Sequence, residues 1–170
     1  MELFSIPYLN VFYNGEDVLC SKFNQLERTV DSLARVAMVD SFQHWIYENP
    51  EHSNASRAEQ WVKLHQLYDG QFEDWSGLEK ERQFLWHRRV LLFQAPFYYI
   101  EYGIAGLGAL GLWLQFKEDK NAAIANYKKA LALGGSRPLP ELFEAAGLKF
   151  DFSEETIAPL MEVVVKELGL

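Results

Sequence analysis

An all-α fold follows from three features of this 170-residue chain. Apolar residues recur at steps of three and four, no segment alternates convincingly as a strand would, and the breaks fall at Asn-Gly, Asn-Pro, Ala-Pro and Gly-Gly pairs. The expectation is a single compact helical domain of about seven or eight helices over residues 1–170, each apolar stripe buried against neighbours.

Taken in order, "MELFSIPYLNVFY" reads as a first helix that is apolar from its start and has no Ser, Thr, Asp or Asn cap before it. It is therefore read as entering from a preceding segment. "NGED" at Asn14 to Asp17 is a turn into a second helix with acids in its first turn. Leu19, Phe23, Leu26, Val30, Leu33 and Ala37 form the stripe of that helix, which Trp45 continues and which Asn49-Pro50 ends. A third helix has Asn54 as candidate cap and Gly70 as candidate stop. After the loop "QFEDWSG", "LEKERQFLWHRRVLLF" reads as one helix up to Ala95-Pro96. Proline suits a first helical turn, so the next helix is placed from about Pro96. "NAAIANYKKALAL" ends at Gly134-Gly135, and "LPELFEAAG" ends at Gly147. The last helix, "SEETIAPLMEVVVKEL", takes Ser153 or Thr156 as its cap; Pro159 kinks it in the first case and is tolerated in the second.

Composition narrows the function. Hydrophobic residues make up 49% and aromatics 15%, as in an ordered globular chain. The net charge of −8 argues against nucleic-acid binding, which draws on clustered Lys and Arg. The longest uncharged run, Tyr102 to Phe116, is shorter than a membrane span and is rich in glycine and alanine, so it reads as a buried helix. The lone Cys20 rules out an internal disulfide, and the start lacks the features of a signal peptide; both suit a cytoplasmic location.

Local motifs are sparse. His44, His52, His65 and His87 form no H-E-x-x-H, and with a single cysteine no metal cluster arises from local spacing. His44 and His52 read as structural or solvent-exposed. Gly103, Gly106, Gly108 and Gly111 lie within a helix and read as sites of close packing, not as a phosphate loop. Tyr98 and Tyr102, four residues apart, share a helix face, while Tyr99 turns away. Two readings of that pair stand: phenols packed in a core, or donors to a developing oxyanion. "NAAIANYKKALALGG" is similar to the second helix of a tetratricopeptide repeat, although no self-similarity near a 34-residue period accompanies it.

The ordered set "MELF", "DSFQHWIYENPEH", "DWSGLEKER", "PFYYIEYGIA" and "YKKALALGGSRPLPELFEAAGLKFD" resembles the C-terminal part of oligoendopeptidase F-like zinc metallopeptidases, related to thimet oligopeptidase. The resemblance covers essentially the whole chain. It implies a zincin-type helical enzyme with an enclosed channel that cleaves internal bonds of oligopeptides. Its zinc is held by the two histidines of H-E-x-x-H and a later glutamate. It also implies that Met1 falls just after the last zinc ligand, so the complete enzyme holds zinc while this chain alone binds none and is inactive.

Matched to the family pattern, Tyr98 and Tyr102 correspond to its oxyanion-stabilising tyrosine pair. Relatives carry a histidine shortly before that pair; here Leu91 takes the position and His87 lies one turn earlier. This chain has "FQAPF" where the thimet branch has a glycine-rich loop. Glu2, two helical turns past the expected ligand, is a candidate to orient a zinc histidine, or equally a surface acid. Implied partners are oligopeptide substrates, and the absent N-terminal half or a second copy on an exposed apolar face. The alternative from another class is a non-catalytic helical-repeat interaction module.

Overall fold

The computed structural model describes residues 2–68 and 73–170. Met1, and Gly70 as the expected stop of the third helix, lie outside the described residues. The described residues form eight α-helices and two 3-10 helices and contain no strand, as expected of an all-α chain. They are α1 (Glu16–Glu48), α2 (Asn54–Tyr68), α3 (Glu79–Arg82), α4 (Leu91–Gln94), α5 (Ile100–Glu118), α6 (Lys120–Leu133), α7 (Leu139–Ala145) and α8 (Glu154–Leu168). The 3-10 helices are Glu2–Val11 and Leu85–Arg88. Among the described residues no helix is long and apolar enough to cross a membrane. The chain divides into two compact units, one of Met1–Thr29 with Ala105–Leu170 and one of Val30–Ile104.

The first unit is built on Leu26, Leu110, Trp113, Phe116, Ala123 and Val164, all buried. Phe4 stacks on Phe116 at 4.6 Å between ring centroids and meets Tyr127 edge-on at 6.0 Å. Polar ties close its surface. Lys22 pairs with Glu167 at 2.5 Å, Lys117 pairs with the same carboxylate, and the Lys120 ammonium donates to the Tyr8 hydroxyl. Gly108 and Gly111 of α5 stand at close packing contacts, as expected of them. A Cβ on Gly108 would stand 3.0 Å from the Phe143 ring, and one on Gly111 would stand 2.8 Å from Leu148 Cδ2. An open apolar groove of about 370 Å³ runs between the first 3-10 helix, α5, α6 and α7, with Phe4, Leu112, Leu131 and Leu142 among its walls.

The second unit is organised around Met38, Val39, Phe42, Trp61, Leu64 and Trp86. Phe42 meets Trp61 edge-on at 5.1 Å and tilts against Trp86 at 5.6 Å. Ile46, Leu85, Leu92 and Tyr99 pack around this cluster.

Local structure departs from the sequence reading at several points. The first helix is 3-10, with Pro7 inside it; proline has no N–H to give to an α-helical ladder. On α1 the expected stripe is buried at Leu26 but exposed at Leu19 and Phe23, while Val36, Met38, Val39, Phe42 and Gln43 are buried further along. The cap of α2 is Ser53, not Asn54: the Ser56 amide donates to Ser53 Oγ and the Arg57 amide to the Ser53 carbonyl. "LEKERQFLWHRRVLLF" is three short pieces, α3, the second 3-10 helix and α4. Its consecutive apolar residues would point around most of a helix; breaking the chain lets Leu85, Trp86 and Leu92 reach one cluster. α8 starts after Ser153, so Pro159 lies inside it, and the carbonyl it cannot satisfy is that of exposed Glu155.

Candidate functional site

Three tyrosines cluster where the chain enters α5. The helix begins at Ile100, not at Pro96, so Tyr98 precedes it and the expected helical face shared by Tyr98 and Tyr102 is not what joins them. The Tyr98 amide donates to the Ala95 carbonyl at 3.1 Å, and the Tyr98 carbonyl accepts from the Glu101 amide at 3.1 Å. Phe97, between them, has φ +61° and is the one described non-glycine residue with positive φ. Proline at the second position, a left-handed third residue and the closing hydrogen bond make the pattern of a type II turn. Glycine usually fills that third place; for another residue the left-handed conformation costs roughly 1–2 kcal/mol.

The turn folds Tyr98 back onto the helix start. The Tyr98 and Tyr102 rings meet edge-on at 5.7 Å, and Tyr99 lies 6.0 Å from Tyr102. Their environments differ. Tyr99 packs against the aromatic core, whereas Tyr98 is 48% and Tyr102 52% exposed. Among the described residues neither exposed hydroxyl takes part in a hydrogen bond, so both phenols are open to a ligand. The core-packed reading therefore fits Tyr99 and not the other two. Gly103 follows at once, and a Cβ there would stand 3.0 Å from Val36 Cγ1, so the start of α5 is pressed onto α1.

Sequence reasoning missed the ring cluster behind the turn. Phe97 lies between His44, edge-on at 5.1 Å, and Tyr47, tilted at 4.9 Å. His44 Nε2 is 3.5 Å from Asp40 Oδ2. Burial pushes the Asp40 carboxyl above its ordinary value, and neighbouring His44 partly offsets that. The available signal was "APFY", a proline followed by a residue that must turn the chain.

The other candidates fall elsewhere. His87 is exposed, with its ring 4.1 Å from Trp86 and 5.4 Å from Phe84, and it makes no ring contact with Tyr98 or Tyr102. Glu2 is exposed at the start of the 3-10 helix, where three residues per turn replace the α-helical spacing used to assign its face. His52 holds a helix start: its Nε2 accepts from Arg57 Nε at 2.6 Å, which leaves Nδ1–H to donate to the Asn49 carbonyl at 2.6 Å. His65 is buried between Trp61 and Trp75, and its Nδ1 accepts from Arg82 Nε at 3.3 Å. Among the described residues no three His, Cys, Asp or Glu side chains are grouped to hold a metal ion. They do not fit a zinc site.

The sequence profile of peptidase family M3 matches residues 16–162. The chain belongs to peptidase family M3. It is 29% identical over 129 residues to an oligoendopeptidase F homolog of Borreliella burgdorferi, covering 71% of this chain and 21% of that protein. Its fold matches a crystal structure of an oligoendopeptidase F with TM-score 0.83 and 32% identity, over 99% of this chain and 30% of that one. PZ peptidase A, solved with an inhibitor, matches with TM-score 0.88 and 29% identity, again over 99% and 30%. An oligoendopeptidase F from Bacillus anthracis matches with TM-score 0.75 and 27% identity over 99% and 26%. The chain thus spans under a third of the length of these relatives. The helical-repeat alternative gains no support: α6 and α7, of 14 and 7 residues, have no second copy among the described helices.

Proposed function

We propose that this chain is the C-terminal helical part of a zinc endopeptidase that hydrolyses internal bonds of oligopeptides. In this reading Tyr98 and Tyr102 donate hydrogen bonds to the oxyanion that forms on the scissile carbonyl. Family membership supports the reaction class. The observation that carries the residue assignment is the pair of adjacent, exposed phenols, beside a third tyrosine committed to the core.

Two donors aimed at one oxygen stabilise charge that develops only as the carbonyl becomes tetrahedral, so they act on kcat more than on KM. The zinc-holding residues and the general base lie, in this reading, outside the chain, and the fragment alone is inactive. Glu2 would orient a zinc histidine in the complete enzyme, where Glu2→Gln would weaken zinc binding about 10- to 100-fold. His87 is assigned no part, because its ring lies against Trp86 and Phe84. The open apolar groove is the face on which the rest of the fold, or a second copy, would pack. The single, exposed Cys20 suits a cytoplasmic setting.

The test is direct. The 170-residue chain, titrated with zinc and given an internally quenched oligopeptide, should bind no stoichiometric zinc and cleave nothing. Chelator-sensitive cleavage by the chain alone would overturn the assignment of the metal site to other residues. In the complete enzyme, Tyr98→Phe or Tyr102→Phe should lower kcat about 10²- to 10³-fold with little change in KM, the scale of a lost oxyanion donor.

A further inference from the structure

We propose that Phe97 is the residue that positions Tyr98, through a clasp formed on its ring by His44 and Tyr47. The value of this clasp for catalysis rests on the reading of Tyr98 as an oxyanion donor; the clasp itself is a matter of geometry.

The third position of the turn asks for glycine, and a bulky ring stands there at φ +61°. A side chain in that conformation persists only where its surroundings hold it. Here the holding groups are visible. His44 and Tyr47 are three residues apart on α1 and so share one face. Their rings stand 5.1 and 4.9 Å from the Phe97 ring. His44 Nε2 also stands 3.5 Å from Asp40 Oδ2, one turn earlier on α1, a contact that becomes an ion pair when the imidazole is protonated. Phe97 in turn fixes the peptide that enters Tyr98, whose amide closes the turn on Ala95.

A glycine at position 97 would allow the same backbone shape and many others. It would make the turn but not keep it. All these rings are partly exposed, Phe97 at 39% and Tyr98 at 48%, but Phe97 meets two rings of α1 whereas the one described ring contact of Tyr98 is Tyr102, just after it in the chain. The clasp therefore does for Tyr98 what burial in the core does for Tyr99.

The experiment is backbone and aromatic NMR relaxation on the 170-residue chain. In the wild type the Phe97 and Tyr98 amides should have order parameters near the rigid value of about 0.85. In Phe97→Gly they should fall below about 0.6, with the amides from Tyr102 onward unchanged. His44→Ala should loosen the same two residues, and His44→Phe, which keeps a ring against Phe97, should restore them. A merely structural role for these residues would spread changes through the unit and would not be rescued by a ring. Wild-type order at Tyr98 in both Phe97→Gly and His44→Ala would overturn the proposal, as would a His44→Phe variant as loose as His44→Ala. If Phe97→Gly does not fold, the two His44 variants decide the matter. Because no activity is measured, failure here is separate from failure of the oxyanion assignment. That assignment fails if Tyr98→Phe leaves kcat unchanged while the clasp behaves as described.

Discussion

Gly103→Ala should destabilise the chain, although alanine is the better helix former. The substitution gains about 1 kcal/mol in helix propensity. Against that, the new Cβ would stand 3.0 Å from Val36 Cγ1 and 3.8 Å from Val36 Cβ. Val36 is 4% exposed on α1. A β-branched side chain in a helix has one strongly preferred rotamer, so it cannot swing away. Overpacking of this kind costs about 1–3 kcal/mol, and the balance is a net loss of about 1 kcal/mol. For a chain of this size that lowers Tm by about 2–4 °C.

The assay is urea unfolding followed by circular dichroism, run as a cycle with Val36→Ala. In that background the obstruction is gone, and Gly103→Ala should stabilise by about 1 kcal/mol. The coupling between the two sites should then be about 1–3 kcal/mol. Equal stabilisation in both backgrounds would show that the start of α5 does not lie against Val36.

The same chemistry should give the opposite sign at Gly111, where the atom met is Leu148 Cδ2, the end of a flexible and only half-buried side chain; Gly111→Ala should be neutral or stabilising by up to about 1 kcal/mol in the same unfolding assay. Glu167 is held below the usual carboxylate range by hydrogen bonds from Lys117 and then Lys22. Its contribution is therefore present above the unfolded pKa of about 4.3 and is lost as pH falls through the lower folded value. Tm profiles of wild type and Glu167→Gln should accordingly be separated at neutral pH and converge in acid, and a gap that persists at the acid end would contradict the pairing. Asp151 accepts from Thr156 Oγ1, Ser153 Oγ and the Ser153 amide, and these bonds lower its pKa; Asp151→Ala should fray the start of α8, seen as faster amide exchange at residues 153–157. The open groove between the first 3-10 helix and α5–α7 should bind an apolar dye or drive concentration-dependent association, read by light scattering.

Much of the fold was legible because helices announce themselves locally. The end of α1 at Asn49-Pro50, the end of α6 at Gly134 and the end of α7 at Gly147 each follow from one residue's backbone preference. The close packing of α5 was legible from glycines that a helix would otherwise exclude. What was not legible depends on tertiary partners. Residues 84–93 have the composition of a helix, but Leu85, Trp86 and Leu92 must all reach one core, and only a broken chain allows that. The start of α5 is not legible from Pro96, because proline suits two structures, a first helical turn and the second place of a type II turn. The choice between them depends on His44 and Tyr47, about fifty residues earlier in the sequence. For the site, the resemblance named Tyr98 and Tyr102; the structure adds that they are exposed and adjacent, and that a strained phenylalanine leads into them.

If Tyr98 and Tyr102 serve the oxyanion, loss of either phenol must act alike on substrate turnover and on a transition-state mimic. In the complete enzyme, kcat/KM for an oligopeptide and the inhibition constant of a phosphinic peptide, whose oxygens imitate the tetrahedral oxyanion, are measured for wild type, Tyr98→Phe and Tyr102→Phe. Each substitution should weaken the phosphinic inhibitor by the same factor, about 10²- to 10³-fold, by which it lowers kcat/KM. Binding of an uncleaved ground-state peptide should stay nearly unchanged. Equal weakening of ground-state peptide and mimic, or no weakening of the mimic, would contradict the assignment of these tyrosines to the oxyanion.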